Sequence, residues 1–234
     1  MLEVGPGPGG LTRALLAEGA ARVLAIERDT RCVAALRELA QVAAGRLEVI
    51  EADALTLDLA GLGADRMVAV ANLPYNIGTP LLLKWLDQIE RFDTLCLMFQ
   101  REVAERLAAA PGASAYGRLS VIVQWLCEVR IVLHLPGRAF VPPPQVASSL
   151  VRLRPRPRPL APATKPALER VLAAAFGQRR KMLRASLKGL ISDPSELLES
   201  AGVPATARAE EIDVAGFCGL ARSYEALLGG GSSD

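Results

Sequence analysis

The sequence predicts an α/β fold: a doubly wound, mostly parallel sheet followed by a small all-α domain. Three observations carry this expectation. Over residues 1–150, short apolar runs alternate with longer segments of helical periodicity, the pattern of strands and crossover helices. A glycine-rich turn joins the first run to the first helical segment. Prolines at 155, 157, 159, 162 and 166 then prevent any regular element before helical periodicity resumes.

The expected strands are Leu2-Glu3-Val4, Val23 to Ile26, Leu47 to Ile50, Met67 to Ala71, Thr94 to Phe99 and Val129 to Leu133, with helices such as Thr12 to Ala17 and Thr30 to Ala43 between them. Ser148 to Leu153 follows prolines 142–144 and is expected as an antiparallel strand at the sheet edge. The expected organisation is a catalytic domain over 1–154, a proline-rich linker over 155–166, a helical domain over 167–229 and a tail over 230–234. Within the second domain, Ala167 to Phe176, Arg180 to Leu190, Pro194 to Ala201 and Ala215 to Leu227 have apolar residues at helical spacing, and Asp193 precedes Pro194 as a cap.

With 51% hydrophobic and 22% charged residues over 234 positions, the chain can bury one full core and a small appendage. Its four cysteines, Cys32, Cys96, Cys127 and Cys218, form no Cys-x-x-Cys pair, so neither a zinc knuckle nor a disulfide framework is expected. No apolar run approaches the roughly 18 residues of a membrane span, and no signal-peptide pattern opens the sequence. A soluble, cytoplasmic, metal-free monomer is expected. The net charge of +2 is uneven: Arg152 to Lys188 holds eleven Lys or Arg against a single acid, Glu169. That asymmetry suits a docked polyanion and equally suits a solvated helix face beside a basic linker.

Gly5-Pro6-Gly7-Pro8-Gly9-Gly10 has the Gly-x-Gly-x-x-Gly spacing of a nucleotide-binding turn. Alone it fits a nicotinamide or flavin enzyme, or a tight turn without a ligand. Pro6 and Pro8 delete backbone donors that a diphosphate would need, which favours a phosphate-free ligand such as S-adenosylmethionine. Acids stand at three neighbouring strand ends. Glu27 is placed for ribose hydroxyls, Asp53 for the exocyclic amine of a cofactor adenine, and Glu3, just before the turn, for the amino-acid end. Taken singly, each is equally a solvated acid at a strand end.

Asn72-Leu73-Pro74-Tyr75 stands at the end of the fourth strand, the side on which open α/β sheets bind ligands. The lone pair of an adenine exocyclic nitrogen is delocalised into the ring and attacks an electrophile only where acceptors favour a more tetrahedral amine. The Asn72 side-chain oxygen and the Leu73 carbonyl are two such acceptors, Pro74 stiffens the turn, and Tyr75 offers a π face to an extruded base. Asn72 is also placed to bound the cofactor. The plainer alternative is a polar turn in which Asn72 caps a helix from Thr79 to Ile89. His134, the single histidine, reads as a structural residue at a strand end.

Together with Leu2 to Gly7, Ala25-Ile26-Glu27 and Glu51 to Ala54, the motif Asn72 to Asn76 resembles the ribosomal RNA adenine dimethyltransferases over most of the chain. The resemblance implies a Rossmann-like S-adenosylmethionine-dependent methyltransferase sheet. It also implies that Phe140, in Phe140-Val141-Pro142-Pro143-Pro144, stacks on the target adenine opposite Tyr75. Phe176 to Leu187 is similar to the branch that dimethylates two adjacent adenosines near the 3′ end of small-subunit (16S) RNA, which implies RNA-phosphate contacts by Arg179, Arg180, Lys181 and Arg184 and an immature 30S subunit as partner. Gln145 departs from that pattern, where a cation is usual. Members also have a segment ahead of the first strand that covers the cofactor. Here Met1 already stands on that strand, so micromolar or weaker cofactor affinity is expected. Two other functions fit part of the sequence: a non-catalytic ribosome-assembly factor, and a resistance-type methyltransferase of large-subunit RNA. A dehydrogenase leaves Asn72 to Tyr75 and the basic domain unexplained.

Overall fold

The computed structural model describes residues 1–63, 66–140 and 145–230. In chain order its elements are β1 (Leu2–Val4), α1 (Gly10–Ala17), β2 (Val23–Glu27), α2 (Thr30–Val42), β3 (Leu47–Glu51), β4 (Met67–Ala71), α3 (Tyr75–Trp85), β5 (Phe92–Gln100), α4 (Arg101–Ala108), α5 (Arg118–Leu126), β6 (Cys127–Leu135), β7 (Ser148–Pro155), α6 (Lys165–Gly177), α7 (Leu183–Ser186), α8 (Ser195–Ser200) and α9 (Val214–Gly230). The chain divides into two compact units, residues 1–104 with 129–155, and residues 105–128 with 156–234.

The first unit holds a seven-stranded sheet in the order β3-β2-β1-β4-β5-β7-β6. Strands β1 to β5 are mutually parallel, and β7 runs antiparallel to β5. Every residue of β1 and β2 is buried, as central parallel strands covered on both faces must be. Helices α1 and α2 bury Leu16 and Leu39 in a cluster with Val23, Ala25, Ala43 and Leu47. Asp29 starts α2 by accepting the Arg31 N–H.

Two expectations about this unit are corrected. The strand Ser148–Pro155 is internal, lying between β5 and β6, and β6 forms the edge. Its register pairs Ser148 with Gln100 and Leu153 with Leu95 on one side, and β6 takes its other hydrogen-bonding edge. The helix after Asn72 starts at Tyr75 rather than Thr79, with Pro74 at its N-cap and Ile77 N–H donating to the Pro74 carbonyl at 3.1 Å. Pro80 is accommodated inside α3, where its missing N–H leaves only the Asn76 carbonyl without its usual donor.

The second unit is helical, but it draws on more of the chain than residues 167–229. Helix α5 packs on α6 and α9. Its Val121, Ile122, Val123 and Trp125 are buried, so it is a core helix of this unit and not a crossover of the sheet. An aromatic row of Tyr116, Phe176 and Phe217, with centroids 6.2 and 5.4 Å apart, runs through the core. The proline-rich stretch after Pro155 is no free linker. Arg156 and Leu160 donate their N–H groups to the Leu126 and Trp125 carbonyls at 2.8 Å each, and the Trp125 indole donates to the Ala161 carbonyl.

The expected helix Arg180 to Leu190 is reduced to the four-residue α7 and a 3-10 turn, Leu187–Gly189. The N–H groups of Leu183 and Arg184 are taken by the Ala207 and Ala205 carbonyls, which fixes the helix start at Leu183. Among the described residues, no helix is long and apolar enough to cross a membrane.

Candidate functional site: a crevice at the switch point of the sheet

From β1 the chain winds to β2 and β3 on one side, and from β4 it winds to β5 on the other, so the topological switch point lies between β1 and β4. The parallel register Val4↔Ala71 ends both strands at the same level. The glycine loop follows β1 and Asn72 follows β4, so the two motifs leave adjacent strands side by side.

Gly5 makes that juxtaposition possible. Its φ of +68° is a left-handed conformation, and a Cβ added there would stand 3.2 Å from Leu73 Cδ2. Leu73 is buried, whereas Asn72 is exposed. No side chain caps α3, and among the described residues the Asn72 side chain has no hydrogen-bond partner. The capping role open to Asn72 in the sequence is therefore not the one it takes. Gly78, on α3, lies with its would-be Cβ 3.3 Å from the Phe99 ring, which seats the helix that carries the motif on β5.

The loop itself is held by Glu27, the last residue of β2. Its Oε2 accepts the Gly7 N–H at 3.0 Å, and its Oε1 accepts those of Arg28 and Asp29 at 2.8 and 2.9 Å. The Gly5 N–H goes to the Ile26 carbonyl and the Gly9 N–H to the Pro6 carbonyl. With Pro6 and Pro8 lacking donors, the loop offers no N–H from residues 5–9 to a diphosphate. Gly7, at φ +56°, faces open space where its Cβ would be.

Asp53 stands two residues beyond the end of β3, not on the strand. Its Oδ1 accepts the Leu55 N–H at 2.9 Å and its Oδ2 lies 3.5 Å from the exposed Arg28, with the Asp53 side chain itself partly buried. Glu3 is fully buried, facing neither solvent nor the loop opening. Among the described residues neither of its oxygens has a hydrogen-bond partner at bonding geometry, and the same holds for the buried Thr12 hydroxyl of α1. Burial pushes the Glu3 carboxyl above its ordinary range, with Thr12 acting the other way.

Phe140 is partly buried and follows a 3-10 turn, Gly137–Ala139. The connection it belongs to returns to the sheet where Arg101 N–H meets the Ala147 carbonyl and Ser148 pairs with Gln100, at the end of β5. That is the same edge of the sheet as Asn72. Residues 141–144 of this expected loop lie outside the described residues. His134 shares a hydrogen bond with Ser149 Oγ at 2.9 Å, a structural tie between β6 and β7.

In the helical unit, Arg180, Lys181 and Arg184 are exposed and make no ion pair among the described residues. Arg179 differs. Its Nε donates to Glu210 Oε2 at 2.8 Å and its Nη2 to the Ser114 carbonyl at 2.8 Å, so its guanidinium ties the end of α6 to two other segments of the same unit. Its guanidinium is thus held inside the unit, unlike those of Arg180 and Arg184.

A residue that no sequence motif signals holds the turn that follows Asp53. Lys84, in the last turn of α3, donates to the carbonyls of Ala54, Leu55 and Leu57 at 3.3, 2.8 and 2.6 Å. A lysine in the last turn of a helix ordinarily reads as a macrodipole partner, and nothing nearby in sequence points to the loop it holds.

The profile of the ribosomal RNA adenine dimethylase family matches residues 1–226. The chain is 60% identical over 226 residues to the ribosomal RNA small subunit methyltransferase A of Rhodospirillum rubrum, an alignment covering 97% of this chain and 78% of that protein. Among solved structures, a dimethyladenosine transferase from Plasmodium falciparum superposes with a TM-score of 0.82 at 27% identity, covering 96% of this chain and 89% of that one. The 23S rRNA methyltransferase ErmE superposes with a TM-score of 0.72 at 28% identity, covering 96% and 90%. The chain belongs to the ribosomal RNA adenine dimethylase family.

Proposed function

We propose that the chain transfers methyl groups from S-adenosylmethionine to the exocyclic N6 of two adjacent adenosines near the 3′ end of small-subunit (16S) ribosomal RNA, in the immature 30S subunit. The observation that carries the reading is Asn72: an exposed amide with no partner among the described residues, beside the glycine loop, at the switch point of the sheet. Similarity at 60% identity to a small-subunit methyltransferase favours that substrate over large-subunit RNA.

The residues present fit the cofactor. A loop whose N–H groups from residue 5 to residue 9 are spent or absent suits a ligand without phosphates, and the open space at Gly7 leaves room for backbone approach. Gly5 and Gly7 form the wall for the methionine portion and Asn72 bounds it. Asp53 is the acceptor for the adenine amine. Glu27 retains about one lone-pair site for a ribose hydroxyl after its three backbone bonds. Buried Glu3 acts on the sulfonium end as a nearby acid beneath the loop and not as a direct ligand. When bound, S-adenosylmethionine supplies an electrophilic methyl group.

The Asn72 side-chain oxygen and the Leu73 carbonyl each accept one hydrogen of the target amine, which localises the nitrogen lone pair and stabilises the positive charge that develops on it. Pro74 fixes the turn, Phe140 is assigned one face of the extruded base, and the other face is assigned to Tyr75, whose side chain lies outside the described residues. Arg180, Lys181 and Arg184 hold RNA phosphates, with the base selected in the crevice. Incubating the protein with unmodified small subunits and methyl-labelled S-adenosylmethionine tests the reading. Label is expected in adenosines of the RNA. Asn72→Ala is expected to abolish it while RNA binding persists, and an unlabelled RNA with the wild-type chain would overturn the proposal.

A further inference from the structure

Lys84 is half-buried, and each of its three ammonium protons has a carbonyl within reach: Ala54, Leu55 and Leu57. All three carbonyls belong to the short turn that begins at Asp53, where the Asp53 carbonyl accepts the N–H groups of Thr56 and Leu57 at 3.0 Å each and the Asp53 carboxylate accepts the Leu55 N–H. Inside the turn every tie therefore converges on Asp53, while Lys84 grips the carbonyls that follow it from α3.

The other end of α3 carries the Asn72 to Tyr75 motif. Between the two ends, Leu81, Leu82 and Trp85 are all but fully buried, so the helix is fixed by packing that does not involve the ammonium group. Removing that group loosens the Asp53 turn and leaves the motif in place.

We propose that Lys84 is a positioning residue for the cofactor's adenine: by gripping the 54–57 carbonyls from α3 it sets where the Asp53 carboxylate stands to receive the exocyclic amine. This rests on the reading of Asp53 given above. A solvated lysine in a helix's last turn does not need three carbonyl partners in a turn 27 to 30 residues away in sequence. The sharing of a charged donor among three carbonyls is also why a neutral side chain cannot replace it.

The test compares two ligands on three proteins. S-adenosylhomocysteine presents the adenine amine. S-inosylhomocysteine has an exocyclic carbonyl oxygen in its place and cannot donate to Asp53 from that position. In wild type the first should bind more tightly. In Lys84→Met, affinity for S-adenosylhomocysteine should fall about tenfold, the size expected for loss of one well-placed hydrogen bond to a charged group. Affinity for S-inosylhomocysteine should stay within about twofold, because the lost interaction is one this ligand never made. KM for S-adenosylmethionine should rise in parallel with little change in kcat, and Lys84→Arg, which keeps charge and multiple donors, should recover much of the preference.

Equal losses for both ligands in Lys84→Met would overturn the proposal, as would no loss for either. If Lys84→Met does not fold, Lys84→Gln gives the same comparison, since one amide cannot bridge three carbonyls. Failure of the wild-type chain to bind S-adenosylhomocysteine at all would instead count against the functional reading. Wild-type binding without a preference between the two ligands would count against Asp53 as the amine acceptor.

Discussion

The Gly7 N–H donates to Glu27 Oε2 at 3.0 Å, tying the middle of the glycine loop to the end of the neighbouring strand. The acid that sequence alone assigns to a ribose therefore first holds the loop that forms the cofactor wall. Replacing Glu27 by Ala leaves three part-buried backbone N–H groups without their acceptor. At roughly 1–3 kcal/mol for orphaned buried donors that water does not reach, the variant should unfold at measurably lower urea concentration. Its affinity for S-adenosylmethionine should fall as well. A stable variant with weakened binding would show that Glu27 acts on the ligand alone.

Gly5 and Gly7 separate strain from contact. Both have positive φ, +68° and +56°, but only Gly5 faces Leu73. An alanine at either site costs roughly 1–2 kcal/mol of backbone strain. At Gly5 it also presses on the side chain of the residue whose carbonyl is assigned to the target amine. Gly5→Ala should therefore lower kcat well beyond Gly7→Ala at matched stability. Adding Leu73→Ala to Gly5→Ala should relieve part of the loss, so a double-mutant cycle in which the two effects simply add would exclude the contact as the cause.

These positions also show how far the sequence alone could be read. Strands β1 to β4 were legible because each is a short apolar run closed by a glycine, an acid or Asn72, and local signals suffice for that. The placement of β7 between β5 and β6 depends on pairing across some 50 residues, for which no local pattern exists. Helix α5 is apolar on almost every side, through Val121, Ile122, Val123 and Trp125, so its periodicity says that it is buried but not in which unit. Arg179 and its neighbours look alike in sequence, and the difference lies in Glu210 and in the carbonyls of residues 113 and 114. Lys84 was invisible for the same reason: its partners are backbone carbonyls, which carry no sequence signature.

Glu3 predicts a pH dependence of stability. Burial raises its pKa above the ordinary value of 4.5, so the folded chain holds this proton more tightly than the unfolded chain. Its contribution to stability is then fully present below 4.5 and is lost as pH rises through the folded-state value. Glu3→Gln cannot ionise. Against wild type it should gain urea resistance progressively as pH rises from 4 towards 8, and the difference should be smallest at the acid end. A constant offset across that range would mean that Glu3 finds a partner or solvent in the folded state.

Arg179 and Arg180 are adjacent in sequence and are expected to fail in different ways. Removing Arg180, Lys181 or Arg184 takes away an exposed cation with no partner among the described residues, so each alanine variant should keep its stability. Each should also lower the slope of log affinity for RNA against log salt by about 0.7 to 1. Arg179→Ala instead strands the half-buried Glu210 carboxylate and frees the Ser114 carbonyl. It should lower the unfolding temperature of the helical unit, and the salt slope of the folded protein should stay at the wild-type value. The opposite pattern, a stable Arg179→Ala with a reduced slope, would mean that the guanidinium leaves Glu210 for a phosphate when RNA binds, and the pair would then be a switch and not a tie.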